Sequence, residues 1–299
     1  MSDQQRLRPT DIFLMVLLGA IWGGSFLFMR ISVPEFGPIA LIQVRVVISA
    51  VFLLVVLAFL GQLGQLFQSP WKMLVVGLSN SAVPYTLFAM GTGLLSAGFA
   101  SVLNATAPFF GAILAVTLFR DRLSVGKWCG LAIGFAGVLI LVAGNRTLEG
   151  SLLGVGVCLL AAFSYAAAAH YTKRELAGVN PMVIATACQI AASLSMIPVS
   201  IFAWPEQSPS INSWLSAIAL GVVCTGAALA IYFYLITAIG ATRSISVAYL
   251  IPLFGVLWGC VFLGESISWS ILLGGALILT GLFFISRSPV KAAPSGDKT

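Results

Sequence analysis

The stretch Ala97–Val142, AGFASVLNATAPFFGAILAVTLFRDRLSVGKWCGLAIGFAGVLILV, reads as an apolar span, a polar turn Arg120-Asp121-Arg122, and a second apolar span. It occurs again, weakly, over Ala241–Ser286. At a shift of 144 positions, the separation of Pro108 and Pro252, Phe110 falls on Phe254 and Gly111 on Gly255. Ser124 then meets Ser268, Gly130 meets Gly274, Ala132 meets Ala276, Gly137 meets Gly281, and Asp121 meets Glu265. Two apolar halves written on one pattern are a recurrent plan of membrane transporters.

Composition supports a lipid setting. Of 299 residues, 60% are hydrophobic and 8% charged, with mean hydropathy +1.06. A soluble domain carries about 25% charged residues, so this chain could not cover a water-facing surface. The formal charge of +6 does not indicate nucleic acid, because the basic residues sit singly between apolar spans and form no stripe. Cys129, Cys158, Cys188, Cys224 and Cys260 all lie within apolar spans without metal-ligand spacing and read as small buried hydrophobes. The first span follows a polar start and has no cleavage signal after it, so it reads as retained.

A helix needs about 20 apolar residues to cross the hydrocarbon. The candidate spans are 12–31, 38–60, 71–91, 97–119 and 124–142, then 151–171, 181–203, 213–236, 244–263 and 269–286. Turn chemistry separates most of them, as at Pro34-Glu35-Phe36-Gly37-Pro38, Ser69-Pro70, Asn180-Pro181 and Pro205-Glu206. The expected organisation is a cytoplasmic segment 1–11, a first five-helix repeat 12–143, a connector 144–150, a second five-helix repeat 151–286, and a cytoplasmic tail 287–299.

With the N-terminus inside, alternation puts Arg6, Arg8, Lys72, Arg120, Arg122, Lys127, Lys173, Arg174, Arg243, Arg287, Lys291 and Lys298 on the inner side. The outer side receives only Arg30 and Arg146. That asymmetry fits an inner membrane and both termini in the cytoplasm. Five helices per half is an odd number, so the halves run in opposite senses across the bilayer. The charges follow: the basic turn 120–122 falls inside, and its counterpart Gly264-Glu265-Ser266 falls outside without the arginines. The front parts also match, at a shift of 143 positions: Pro38 meets Pro181, Trp22 meets Tyr165, and Arg30 meets Lys173.

These features resemble the drug/metabolite transporter superfamily, and within it the EamA-type exporters with two five-helix repeats. The resemblance is carried by Trp22-Gly23-Gly24-Ser25 with Arg30, by Arg45, by Ala107-Pro108-Phe109, by Ile251-Pro252-Leu253 and by Gly264-Glu265. It covers nearly the whole chain. It implies a fold of ten transmembrane helices around a central cavity closed alternately on either side, and export of small metabolites, with bacterial exporters of aromatic and other amino acids as similar proteins.

Polar side chains within spans should face neighbours or a cavity, because lipid contact is costly. Asn80, Asn104, Thr106, Ser164, Gln189 and Thr225 are such groups. Asn104 lies one turn before Pro108, and a proline frees backbone groups near it. The pair offers an amide and a carbonyl to a zwitterion, or else marks a kink sealed by interhelical hydrogen bonds. Pro84 with Asn80 and Tyr85 repeats the theme, as does Pro252 with Tyr249. Trp22 and Tyr165 sit near mid-helix, away from the interfacial belt, as cavity rings or as core. Tyr232, Tyr234 and Trp258 are weaker candidates for the same role. Stacking and cation–π contact would suit an aromatic, aliphatic or cationic side chain.

His170, the single histidine, could couple protons or be structural. Arg45, about two turns into its helix, is expected to snorkel outward or pair with Glu35, or to attract a substrate carboxylate. Glu265 reads as an interface residue. No carboxylate falls mid-span, so coupling runs through His170 or backbone, or transport is facilitated. No P-loop, HExxH or paired-cysteine motif is present, so no cofactor or metal is implied. Gly130, Gly134 and Gly137, with Gly274 and Gly281, allow close helix approach to a neighbour within the chain or in a second subunit. The partners expected are a small-molecule substrate and the bilayer, with the chain a monomer or weak dimer. An intramembrane lipid-modifying enzyme lacks a carboxylate to orient His170. A channel would usually show charge rings or a filter, and neither is visible.

Overall fold

The computed structural model describes residues 8–66, 68–119, 123–144 and 148–287, which fold as helices joined by short turns. The turn Arg120-Asp121-Arg122, together with Arg6, Arg146, Lys291 and Lys298, lies outside the described residues. Among the described residues eight helices are long and apolar enough to cross a membrane, and Val247–Leu263 is a shorter apolar one. The first, Pro9–Phe59, has 51 residues. At 1.5 Å per residue that is roughly 75 Å, against about 30 Å of hydrocarbon, so it must cross twice. It turns at Gly37 (φ 69°, ψ 160°), a conformation suited to glycine, followed by Pro38, which has no amide hydrogen to continue the helix.

The first and second spans are therefore 9–36 and 38–59. The third is Pro70–Leu94, the fourth Ala97–Leu118, the fifth Val125–Ala143 and the sixth Leu148–Glu175. The seventh is Pro181–Phe202, the eighth Ile211–Ile239, the ninth Val247–Leu263 and the tenth Trp269–Arg287. The sixth helix begins at Leu148, inside the stretch read as a connector. Ten spans bring Arg287 back to the end of the bundle where Pro9 starts, and five per half invert the second half. The serines that recur at the shift of 144 are helix caps: Ser124 Oγ accepts from Lys127 N and Ser268 Oγ from Ile271 N.

The repeat also governs packing. A Cβ at Gly130 would lie 2.7 Å from the Gly281 carbonyl oxygen, and one at Gly137 2.7 Å from that of Gly274. The glycine stripe thus seats the fifth span on the tenth, inside the chain. A Cβ at Gly77 in the third span would meet the Cys188 carbonyl at 2.7 Å, and one at Gly221 in the eighth would meet Ile48 Cβ at 2.6 Å. Gly77 and Gly221 are 144 positions apart, so each half lays its third span on the other half's second. The second and seventh spans meet each other, with Gln43 Nε2 donating to the Ser193 carbonyl at 3.2 Å.

Two wide, π-type turns interrupt the helices at matching places: Leu78–Ala82 in the third span and Val222–Ala227 in the eighth. The first turn stands just before Pro84, whose ring would clash with the carbonyl four residues back in a regular helix. The second has no proline. There the Thr225 hydroxyl donates to the Leu220 carbonyl, five residues back, at 2.8 Å. Of the cysteines, Cys158, Cys188 and Cys224 are buried, whereas Cys129 and Cys260 are exposed on outward-facing helix sides, contrary to the expected burial.

Overpacking a well-filled contact costs typically about 1–3 kcal/mol. Gly137→Val and Gly281→Val are expected to lose at least that in detergent-solubilised thermal unfolding. Gly156→Val, where an added Cβ meets nothing within 4 Å, should unfold like the parent protein.

Candidate functional site: a cavity between the inverted halves

A cavity of about 430 Å³ lies where the halves meet. Its lining extends from Met29 and Phe88 to Ser244 and Ile245, at the start of the ninth span. Rings form two of its walls. Trp22 packs on Tyr232 with centroids 5.2 Å apart, and Tyr165 stacks on Phe88 at 5.9 Å. These pairs are repeat mates: Trp22 matches Tyr165, and Phe88 matches Tyr232 at the shift of 144. In each, a ring from the opening span of one half meets a ring from the third span of the other.

The polar groups are not shared out evenly. Arg45, Asn80, Tyr85 and Asn104 all come from the first half and line the cavity. At the shift of 144, Asn80, Tyr85 and Asn104 correspond to Cys224, Leu229 and Ala248, which also line it. The cation and both amides thus come from the first half, and the second half adds the Tyr165 and Tyr232 rings with their hydroxyls and Ser244. Asn104 stands at a break: Ala105 N and Thr106 N bond back only three residues, and Pro108 offers no amide to the Asn104 carbonyl. The same short bond recurs from Tyr249 N to the Ser246 carbonyl, but the helix continues through Pro252, so the expected opening at Pro252 is confined to the turn before it.

Arg45 departs from expectation. It neither snorkels nor pairs with Glu35. It is 4% exposed, its Nε donates to Thr225 Oγ1 at 2.9 Å, one Nη approaches Met29 Sδ at 3.8 Å, and its guanidinium lies 3.8 Å above the Tyr85 ring. Burying a charge without a counter-ion costs on the order of several kcal/mol. The cation–π contact and the hydroxyl offset part of that. Glu35 instead accepts hydrogen bonds from the backbone and hydroxyl of Ser210, at the end of the bundle where the first span closes.

Gln189, one residue past the position that the shift of 143 pairs with Arg45, does a parallel job. Its Nε2 donates to Ser81 Oγ at 3.2 Å, and Ser81 is the mate of Thr225. Both acceptors lie in the wide turns. Each half therefore reaches from its second span into the interrupted turn of the other.

Trp22, Asn80, Tyr85, Asn104, Tyr165, Pro108 and Arg45 are brought together at the cavity. Ser164, Tyr249, Pro252 and His170 do not line it. Ser164 donates to the Ser79 carbonyl at 2.7 Å, Tyr249 packs on the main core, Pro252 is buried, and His170 Nε2 lies 2.9 Å from the Gly111 carbonyl oxygen. Tyr232 joins the lining. Tyr234 faces outward, and Trp258 Nε1 donates to the Ala20 carbonyl at 2.9 Å. Phe26, Met29 and Phe88 belong to the lining and carry no sequence signal beyond apolarity.

Glu265 is more than an interface residue. Its carboxylate accepts from Ala97 N at 2.7 Å and Gly98 N at 3.1 Å, capping the fourth span from the other half. A second depression, about 580 Å³, opens at this end beside Arg30, Ser96, Glu265 and Ser268. Arg30 itself donates to the carbonyls of Thr92 and Gly93, at 2.6 and 3.0 Å, tying the first span to the end of the third.

The sequence profile of the EamA-like transporter family matches the chain twice, over residues 10–143 and 152–287. The chain belongs to the EamA-like transporter family. Among its relatives is an uncharacterized transporter of Archaeoglobus fulgidus, 24% identical over 274 residues, covering 92% of this chain and 98% of that one. The uncharacterized inner membrane transporter YedA of Escherichia coli is 28% identical over 302 residues, covering 93% and 95%. One solved crystal structure aligns with a TM-score of 0.67 at 18% identity, covering 93% of this chain and 96% of that one, a likeness of fold. The family and these names describe membrane transporters rather than enzymes.

A hydrogen bond to a charged group contributes about 1.5–3 kcal/mol and a neutral one about 0.5–1.5 kcal/mol. Thr225→Val should therefore destabilise the EamA-family chain more than Ser81→Ala does, as read by thermal unfolding of the two variants in one detergent.

Proposed function

We propose that this EamA-family protein exports small amphipathic metabolites from the cytoplasm, amino acids and foremost aromatic ones, by alternating access across the inner membrane. The observation that carries the reading is the central cavity: paired rings on two sides, with amides and a cation on one wall. An amphipathic molecule matches such a lining, with its polar head toward Asn80, Asn104 and Arg45 and its body against the rings. Both chain ends lie in the cytoplasm on this reading. The bonds of Glu35 to Ser210 and of Glu265 to Ala97 and Gly98 then hold the outer end shut while the cavity reaches toward the inner end. Among the described lining residues there is no carboxylate, which favours facilitated transport down the substrate gradient as the second reading.

Proteoliposomes containing the full chain should take up labelled phenylalanine saturably and show counterflow. Flux that rises linearly with concentration, without counterflow, would refute a carrier. Trp22→Ala and Asn104→Ala should each cut transport by about tenfold or more, as loss of a central contact does, while the protein elutes as a folded species. Wild-type rates in both variants would remove the cavity as the transport site.

Glu265→Gln removes the charge from the cap on the fourth span. In a background without the native cysteines, a cysteine at Met29 should then react faster with an impermeant maleimide applied from outside. Equal rates with and without Glu265→Gln would show that this cap does not hold the outer end.

A further inference from the structure

We propose that the cavity selects its ligand by a carboxylate, so that aromatic monoanions bind at least as well as the matching amino acids and aromatic amines are turned away. The proposal rests on the cavity being the transport site. Arg45 is the one charged side chain among the described lining residues. Its contacts are a hydroxyl, a thioether and a ring, none of them anionic. One terminal nitrogen has no hydrogen-bond partner among the described residues. The protein does place acids near cations elsewhere: Lys72 meets Glu175 at 3.0 Å near the bundle surface.

The repeat shows what the charge is not needed for. Gln189, one residue past the matching position in the seventh span, bonds into the matching wide turn with a neutral amide. Bridging the halves therefore requires a donor, not a cation. Beyond its contact with the Tyr85 ring, the positive charge at Arg45 is not needed to bridge the halves, and Arg45 lines the cavity. A guanidinium fork matches a carboxylate with two parallel bonds. A ligand anion would supply the counter-charge that the lining lacks. An amino acid's ammonium, in contrast, finds only neutral acceptors: the amide oxygens of Asn80 and Asn104, the freed Asn104 carbonyl, tyrosine and serine hydroxyls, and the faces of the rings. The ammonium is thus dispensable for recognition, and the carboxylate is not.

Three ligands with one ring and different charge test this: phenyllactate, phenylalanine and phenethylamine, at neutral pH, titrated onto the full-length protein in nanodiscs. Phenyllactate should bind at least as tightly as phenylalanine, and phenethylamine about tenfold or more weakly, the scale of one charge-assisted hydrogen bond. Arg45→Gln should remove that preference by weakening both acids about tenfold or more without changing the amine, and Arg45→Lys should restore part of it. Phenethylamine binding as tightly as phenyllactate would overturn the proposal, as would acid affinity unchanged in Arg45→Gln. In either case saturable phenylalanine transport would leave the transport reading standing. If none of the three binds saturably, the cavity reading falls and charge selection falls with it. Should Arg45→Gln fail to fold, the series on the unaltered protein decides alone.

Discussion

Lipid tails give two helices no hydrophobic reason to associate, so a membrane bundle depends on how closely its backbones can approach. Here that approach is made between halves. The fifth span lies on the tenth through Gly130 and Gly137 against Gly281 and Gly274, where a Cβ would fall within 2.8 Å of backbone on either side. The third span of each half lies on the second span of the other through Gly77 and Gly221. Neither half could bury these surfaces alone. Because the halves are inverted copies, these glycine contacts come in pairs. The glycines and capping serines consequently keep the repeat readable, while residues free of that constraint have diverged.

The cavity is the product of that divergence. Its frame is symmetric: the Trp22–Tyr232 and Phe88–Tyr165 ring pairs are images of each other. Its chemistry is not. Tyr85, Asn80 and Asn104 have become, or have been retained opposite, Leu229, Cys224 and Ala248. A two-fold frame with its cation and amides on one wall would give the proposed ligand's polar head one side to face, which a symmetric cavity would not. Arg45 sharpens that asymmetry, since Gln189, which bridges the halves from the seventh span, is spent entirely on neighbours, bonding both Ser81 and Ser49.

Much of this was legible in the residues alone. The span count and the inversion followed from apolar length and charge alternation; Trp22 and Tyr165 drew notice by their offset, and Asn80 and Asn104 as polar groups near prolines. The break at Gly37-Pro38 was plain from its composition. What was not legible depended on three-dimensional neighbours. Arg45, about two turns into a helix, looked able to snorkel, but Thr225, Met29 and Tyr85 surround it and come from the eighth, first and third spans. The wide turn at Val222–Ala227 has no proline to announce it and is recognisable only beside its mate. Ser164 and His170 drew notice as polar groups in apolar spans, yet each reaches a backbone carbonyl on a neighbouring span. Polarity marks a residue as needing a partner; it does not say whether the partner is ligand or protein.

The paired bridges also bear on how such halves would move. Arg45–Thr225 and Gln189–Ser81 stand beside the crossing of the second and seventh spans, where Gln43 and Ser49 also reach across. For two bodies rocking about a pseudo-two-fold, displacement grows with distance from the axis. Bonds at the crossing would be stretched least, whereas the Glu265 cap on the fourth span, at the far end, would part. A wide turn is a weak point in a helix and a place where it can rewind. On the proposed alternating-access reading, a bridge set into such a turn would ride with the helix through a small rotation. The charge at Arg45 would then keep its place in the cavity in both orientations, so that a ligand's counter-charge need not be surrendered during the passage.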